Sequence, residues 1–319
     1  MGEIKNCLIC YQPLDNTRHL YHSQCSRRLF GQRTAPVLPY AYDDLKEAAK
    51  KVVRSRVTVP GVQAKLSLFI DKSRKKNSRF TLVGLWGNFI LKPPLQAYPY
   101  MPEIEHLTMH LASLFKIETV RHGLIYLKSG ETAYITRRID RLPGGKKLHM
   151  EDMCQLTERL TDDKYQGSME QLGKILKRFS SNPLLDCIRF FDMALFSFLT
   201  GNADMHLKNF SLIYPVDGMV KLSAAYDMLA TRLLISEQDD PEEMALTVNG
   251  KKRKLIYDDF YRLAANLGLN EKQINNVFKR FSKAIPATRT EIDSGFLPHD
   301  KANEFKQLIT DRAARLKLL

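Results

Sequence analysis

Apolar and polar positions alternate from Val57 to Ile70, the pattern of a strand with one buried face. The polar turn Asp71 to Ser78 leads into a second short strand, Arg79 to Val83. Gly87-Asn88 then makes a tight turn into Phe89 to Lys92, which Pro93-Pro94 ends. From Met101 to Phe115 the period becomes helical, with Leu107, Leu111 and Leu114 on one side. Two more strand-like stretches follow, Val120 to Leu127 and Thr132 to Ile139. Beyond about residue 148 helical spacing dominates, over 150–160, 168–179, 183–200 and three further segments between 257 and 317. A hairpin over 209–223, turning at Pro215-Val216-Asp217-Gly218, interrupts them. Ahead of everything, 1–40 reads as a small irregular unit ending in Pro36 and Pro39, and Ala41 to Arg54 as a helix. The pattern predicts an α+β protein with an extension (1–54), a mixed strand–helix part (55–141) and a mostly helical part (142–319).

Composition is that of a globular chain: 44% apolar and 26% charged over 319 residues. No stretch reaches the roughly 18 uninterrupted apolar residues of a membrane span, and no leader pattern opens the chain, so a cytosolic protein is expected. The balance of 49 basic to 35 acidic residues gives +14. Such a charge favours polyanionic partners, although its densest runs, Lys72 to Lys76 and Lys251 to Lys254, fall where solvated turns are expected. The cysteines change the picture near the N-terminus. Cys7-x2-Cys10 and His22-x2-Cys25 are two close pairs with a short spacer, which suits tetrahedral zinc, but reduced core cysteines would read the same way. Cys154 and Cys187 fall at helix-core spacing and read as packing residues.

The chemistry concentrates at Gly201-Asn202-Ala203-Asp204-Met205-His206-Leu207-Lys208-Asn209, with Asp227 further on. Phosphoryl transfer from ATP needs a carboxylate to orient the attacking hydroxyl, and an amide and a second carboxylate to hold magnesium. Asp204 fits the first role and Asn209 and Asp227 the second, with His206 and Lys208 placed to reach phosphate oxygens. Asp and Asn also favour turns, so the spacing alone is weak. What strengthens it is an apolar helix running in and a hairpin that delivers Tyr226-Asp227. Lys92 ends a strand before a helix carrying Glu105, with Glu103 as the other candidate partner; such a pair would hold nucleotide phosphates. The stretch 136–141 follows the last strand of the first half, where the backbone at Arg137 and Ile139 could read an adenine edge. No Gly-x-Gly-x-x-Gly precedes Lys92; Thr58 to Lys65 stands there instead, with one glycine. Together these predict a divergent protein-kinase-like bilobal fold.

Further strings share one pattern: Thr-x-x-Gly-Val-Gln-x-Lys-Leu-Ser (58–67), Gly-Asn-Phe-Ile-Leu-Lys-Pro (87–93) and Glu-x-Glu-His-x-x-Met (103–109). Arg-x-Asp-Arg (138–141), Glu151-Asp152, the loop 201–212 and Tyr226-Asp227 continue it. In this order they resemble the HipA-like bacterial toxin kinases, the loop string being the most specific. The resemblance implies a serine/threonine kinase using ATP and magnesium, whose target is an aminoacyl-tRNA synthetase. It also implies a phosphate-covering loop containing Gly61, Val62, Gln63 and Lys65. That loop would carry an autophosphorylation site at Thr58, with Ser55 behind it; Pro60 replaces a second serine of some relatives. Only some fifty residues precede the first string, as in the short kinase of three-gene HipBST arrangements. That likeness implies a separate HipS-like protein, a HipB-like DNA-binding antitoxin, and operator DNA reached through it. Two other readings use the same residues: a small-molecule or lipid kinase, and a non-catalytic antitoxin- or DNA-binding scaffold. The intact set Lys92, Asp204, Asn209 and Asp227 weighs against the scaffold.

Overall fold

Leu66, Leu68 and Ile70 of β1 (Leu66–Asp71) are buried while Ser67, Phe69 and Asp71 face outward, as the alternation predicts. The computed structural model describes residues 5–16, 19–54, 63–71, 78–84, 86–142 and 146–319. They divide into two compact units: 1–107 with 120–141 and 294–296, and 108–119 with 142–293 and 297–319.

In the first unit β1 pairs antiparallel with β2 (Arg79–Leu82) and with β3 (Phe89–Lys92). β5 (Thr132–Arg137) pairs with β3 and with β4 (His122–Tyr126), giving the order β2-β1-β3-β5-β4. One cluster joins Leu66, Leu68, Phe80, Phe89 and Leu91 of the sheet to Leu29 and Phe30 of α1 (Ser23–Phe30) and Leu45 of α2 (Tyr42–Arg54). Phe80 meets Phe30 and Phe89 edge-on, at centroid distances of 5.9 and 5.4 Å. Strand periodicity places Lys92 on the face opposite Phe89 and Leu91. Residues 101–107 of α3 (Met101–Ala112) also belong to this unit.

The second unit is built on α6 (Pro183–Thr200), buried continuously from Phe190 to Thr200. Pro183 occupies its first turn and the Asn182 side chain accepts from Leu185 N, both sound ways to start a helix. Against it pack α5 (Met169–Phe179), α7 (Tyr257–Asn266) and α9 (His299–Arg315). α8 (Glu271–Ser294) contributes Arg280, which donates to Asp192 of α6 at 2.6 Å. The buried Arg312 of α9 donates to Phe198 O at 2.6 Å, satisfying a carbonyl of the last turn of α6.

Residues 150–160, expected as one helix from their apolar spacing, divide differently. His149–Asp152 form β6, paired with β7 (Ser211–Tyr214), and only Met153–Leu156 make a helical turn, α4. The change of period falls at Asp152, whose carboxylate accepts from Gln155 N while Asp152 N donates to the Gln155 side chain. β7 also pairs with β8 (Lys221–Leu222), so the predicted hairpin becomes two strands of a three-stranded sheet. The architecture is mixed α+β, a sheet-containing part followed by a mainly helical one. Among the described residues no helix is long and apolar enough to cross a membrane.

Candidate active site

Gly201 ends α6 in the left-handed region (φ +74°) and points the chain into the loop. A Cβ there would lie 2.7 Å from Leu308 Cδ2 and 2.9 Å from Arg232 Cβ, so both conformation and packing call for glycine. The loop is then pinned from several sides. Ala203 N donates to Thr231 Oγ1 (2.9 Å), and that hydroxyl donates to Gly201 O (3.2 Å). Arg232 N donates to Gly201 O at 3.0 Å, and Asn202 Oδ1 accepts from Asp204 N at 3.2 Å. On this scaffold Asp204 is exposed, and Tyr165 donates its hydroxyl to Asp204 Oδ1 at 2.7 Å. The Tyr165 ring also sits edge-on to His206, at 5.1 Å. Burial, and then the bond to Asp204, hold the Tyr165 proton more firmly than usual, so it stays a donor.

His206 is 7% exposed and its Nδ1 has no hydrogen-bond partner. Burial pushes its pKa below the ordinary value, outweighing the opposing pull of Asp204, so the imidazole is neutral at physiological pH. Lys208 Nζ stands 2.6 Å from Asp152 Oδ2 and keeps about a third of its side chain in solvent. Asn209 is 2% exposed; its Nδ2 donates to Asp227 O at 3.4 Å, while its Oδ1 has no partner. An uncommitted, buried amide oxygen is costly unless something meets it. Asp227 supplies a carboxylate from a left-handed backbone (φ +61°), uncommon for a residue with a side chain. The backbone at Ala225 and the Tyr226 side chain hold it so. Ala225 N donates to Glu118 O at 2.8 Å, and Tyr226 Oη donates to Lys208 O at 3.0 Å with Ser211 Oγ 2.5 Å away. The hard oxygens of Asn209 and Asp227 suit a magnesium ion.

In the first unit Lys92 is 4% exposed and its ammonium pairs with Glu105 of α3. It also lies 5.3 Å from the Tyr134 ring centroid, on the strand residue opposite it. Glu105 is fully buried, whereas Glu103 faces Thr132 and has its pKa raised by burial. Gln63 Nε2 donates to Pro93 O at 3.1 Å, tying the chain ahead of β1 to the end of β3, and Lys65 is exposed. Arg137 and Ile139 are half-buried, and Arg137 N donates to Arg121 O at 2.8 Å. Close by, Asp140 accepts two bonds from Arg138 (2.8 and 2.7 Å) and one from Arg141 (2.6 Å), a charge-assisted cluster.

The second unit thus brings Asp204, His206, Lys208, Asn209 and Asp227 onto one loop-and-strand scaffold, and the first brings Lys92 to Glu105. Ser55, Thr58, Gly61 and Val62 lie outside the described residues. Cys7, Cys10, His22 and Cys25 meet in a separate cluster. Two contributors have no role that the sequence alone assigns. Asp152 is only part of a matching string, and Tyr165 is an isolated loop tyrosine with no periodicity to mark it.

The sequence matches the family described as the HipA-like C-terminal domain over residues 57–289. A Haemophilus influenzae protein named as an inferred kinase is 27% identical over 313 residues, covering 89% of this chain and 88% of its own length. An inferred kinase of Sinorhizobium fredii is 35% identical, over 69% of this chain and 56% of its own. The serine/threonine-protein kinase toxin HipA of Shewanella oneidensis is 26% identical, over 75% of this chain and 58% of its own. The chain therefore spans little more than half the length of the last two. Among solved structures, a chain of the Shewanella oneidensis toxin–antitoxin complex of HipA, HipB and operator DNA matches with a TM-score of 0.65. Identity there is 23%, with 84% of this chain and 70% of that one covered. The Helicobacter pylori proinflammatory kinase CtkA matches at 0.55, with 14% identity and coverages of 78% and 93%. At these identities the likeness concerns the fold.

Proposed function

The chain belongs to the HipA-like C-terminal domain family, and from that premise we propose that it is a cytosolic, ATP- and magnesium-dependent serine/threonine kinase acting as a toxin. Asn209 and Asp227 would hold the magnesium ion of ATP, which supplies the phosphoryl group when bound. Asp204 orients the acceptor hydroxyl and takes up its proton, while Tyr165 holds that carboxylate in place. Neutral His206 and Lys208 serve phosphate oxygens, Lys208 exchanging its Asp152 contact for them. By the family resemblance Lys92, paired with Glu105, would serve nucleotide phosphates. By the same resemblance Gln63 and Lys65, with Gly61 and Val62, would belong to the phosphate-covering loop. Of the two adenine candidates Ile139 is retained, because Arg137 N is already committed to Arg121 O. The observation that carries this reading is the unmet, buried Oδ1 of Asn209 beside an aspartate held at positive φ.

The proposed target is a protein of translation, an aminoacyl-tRNA synthetase, and the proposed partners are a HipB-like DNA-binding antitoxin and a HipS-like protein. The Shewanella oneidensis complex of HipA with HipB and operator DNA supports the former by analogy. Thr58, with Ser55 behind it, is the proposed autophosphorylation site. A phosphate there adds close to two negative charges beside a phosphate-binding loop and would oppose ATP. Equal ATP affinity and activity in Thr58→Ala and Thr58→Asp would contradict that control. The protein-kinase reading is tested with γ-labelled ATP and cell extract. The expected result is a labelled protein band carrying phosphoserine or phosphothreonine, absent with Asp204→Asn; label confined to small molecules would overturn it.

A further inference from the structure

Among the described residues, Cys7, Cys10, His22 and Cys25 form a group that could hold a metal ion. Their ligand atoms all lie within 4.8 Å of one another. Cys10 Sγ is 3.4 Å and Cys25 Sγ 3.9 Å from His22 Nδ1. Tetrahedral zinc with Zn–S of about 2.3 Å and Zn–N of about 2.0 Å would separate bound sulfur and nitrogen by roughly 3.6 Å. The two sulfur–nitrogen separations bracket that edge, and all four ligand atoms are close enough to share one ion. The five cysteines are all free thiols, so no disulfide competes for them.

The surroundings are arranged for a ligand as well. His22 Nε2 is 2.9 Å from Pro13 O, a contact that places the ring proton on Nε2 and leaves the Nδ1 lone pair facing the thiols. His22 stands at the N-cap of α1 yet its side chain makes no cap bond there, being turned to the cysteines instead. Cys25 follows on the first turn of the same helix, while Cys7 and Cys10 flank a tight turn closed by Tyr11 N donating to Cys7 O at 3.0 Å. Four protein ligands leave no open position, which marks a structural and not a catalytic metal.

We propose that these four residues bind one structural zinc ion and that the knuckle so formed fixes the start of α3, and with it Glu105. Each cysteine gives up its thiol proton to solvent as its sulfur bonds to the metal, with no change of oxidation state. The knuckle is joined to the sheet where Leu124 N donates to Leu8 O (2.9 Å) and Tyr21 donates to Leu124 O (2.9 Å). It reaches α3 through Tyr11, fully buried at φ +60°, whose ring lies 4.9 Å from that of His106. His106 is the neighbour of Glu105, so a loosened knuckle frees the residue that holds Lys92. This second consequence rests on the kinase reading; the metal itself does not.

The test uses the full chain, purified without chelator. Elemental analysis should find about one zinc ion per chain, lost in Cys10→Ser and Cys25→Ser and kept in Cys154→Ala. Replacement by cobalt should give the intense visible bands of a tetrahedral, thiolate-rich site, a readout that needs no variant to fold. Zinc-free protein that also gives no tetrahedral cobalt spectrum would overturn the site, whatever the kinase assays show. Hydrogen exchange before and after metal removal addresses the second part. Residues 101–107 should lose protection; unchanged protection there would overturn the link to Glu105 while leaving the metal site standing.

Discussion

The buried pair of Lys92 and Glu105 allows stability and function to be separated. Its side chains are 6% and 1% exposed. Lys92→Met removes the positive charge that faces the buried Glu105 carboxylate. Breaking a buried pair on one side costs about 3–5 kcal/mol, because the remaining charge is uncompensated. Glu105→Leu should be as damaging, because it takes the carboxylate away from the buried ammonium. Taking about 2–4 °C per kcal/mol for a domain of this size, each single variant should melt roughly 6–20 °C lower. The double variant Lys92→Met/Glu105→Leu strands neither charge and should recover most of that loss, since apolar replacements of buried ion pairs are often near neutral. ATP affinity, measured by calorimetry on the folded double variant, should still be lost. Single variants within about 1 kcal/mol of wild type, or a double variant as unstable as the two singles combined, would refute the argument from burial. A double variant that binds ATP normally would refute the role assigned to Lys92.

Three further outcomes follow from the second unit. Gly201→Ala forces a side chain into φ +74° and against Leu308 and Arg232; it should cost about 1–3 kcal/mol in urea denaturation, and an unchanged midpoint would contradict that close packing. His206 is held below its ordinary pKa of 6.5 by burial. The folded state thus resists its protonation, and stability present above pH 6.5 is lost as pH falls below it; His206→Asn should flatten that part of a stability–pH curve, and an unaltered slope would exclude the residue as its source. Tyr165→Phe removes one hydrogen bond to a solvent-facing carboxylate, worth about 1 kcal/mol, and should lower kcat roughly five-fold with KM for ATP unchanged; an unchanged kcat would show that Tyr165 does not position Asp204.

The parts of this molecule readable from sequence are those set by local period and short spacing. The alternation Leu66, Leu68, Ile70 announces a strand with one buried face, and the spacing from Asp204 to Asn209 nominates a candidate site ahead of any geometry. Proximity in sequence also carries the choice of Glu105, since the helix follows the strand that ends in Lys92. What the pattern misses depends on distant partners. His149–Asp152 share helical spacing with Met153 and Cys154, and only pairing with Ser211–Tyr214 makes them a strand. Tyr165 meets Asp204 from 39 residues away, through a loop that no pattern marks. The Cys/His spacing does not distinguish a metal centre from a thiol-lined core, whereas the orientation of His22 by Pro13 favours the former.

The central claim is that the loop 201–209 and Asp227 transfer the terminal phosphoryl group of ATP. A single-turnover measurement with purified chain, magnesium and γ-labelled ATP tests it most directly, following label appearing on the chain itself or on added protein. The account predicts magnesium-dependent transfer by wild type. It also predicts no transfer by Asp204→Asn or Asp227→Asn variants that melt normally, with Asp204→Asn still binding ATP. Transfer at the wild-type rate by both variants, or none by the wild type under any of these conditions, would contradict it.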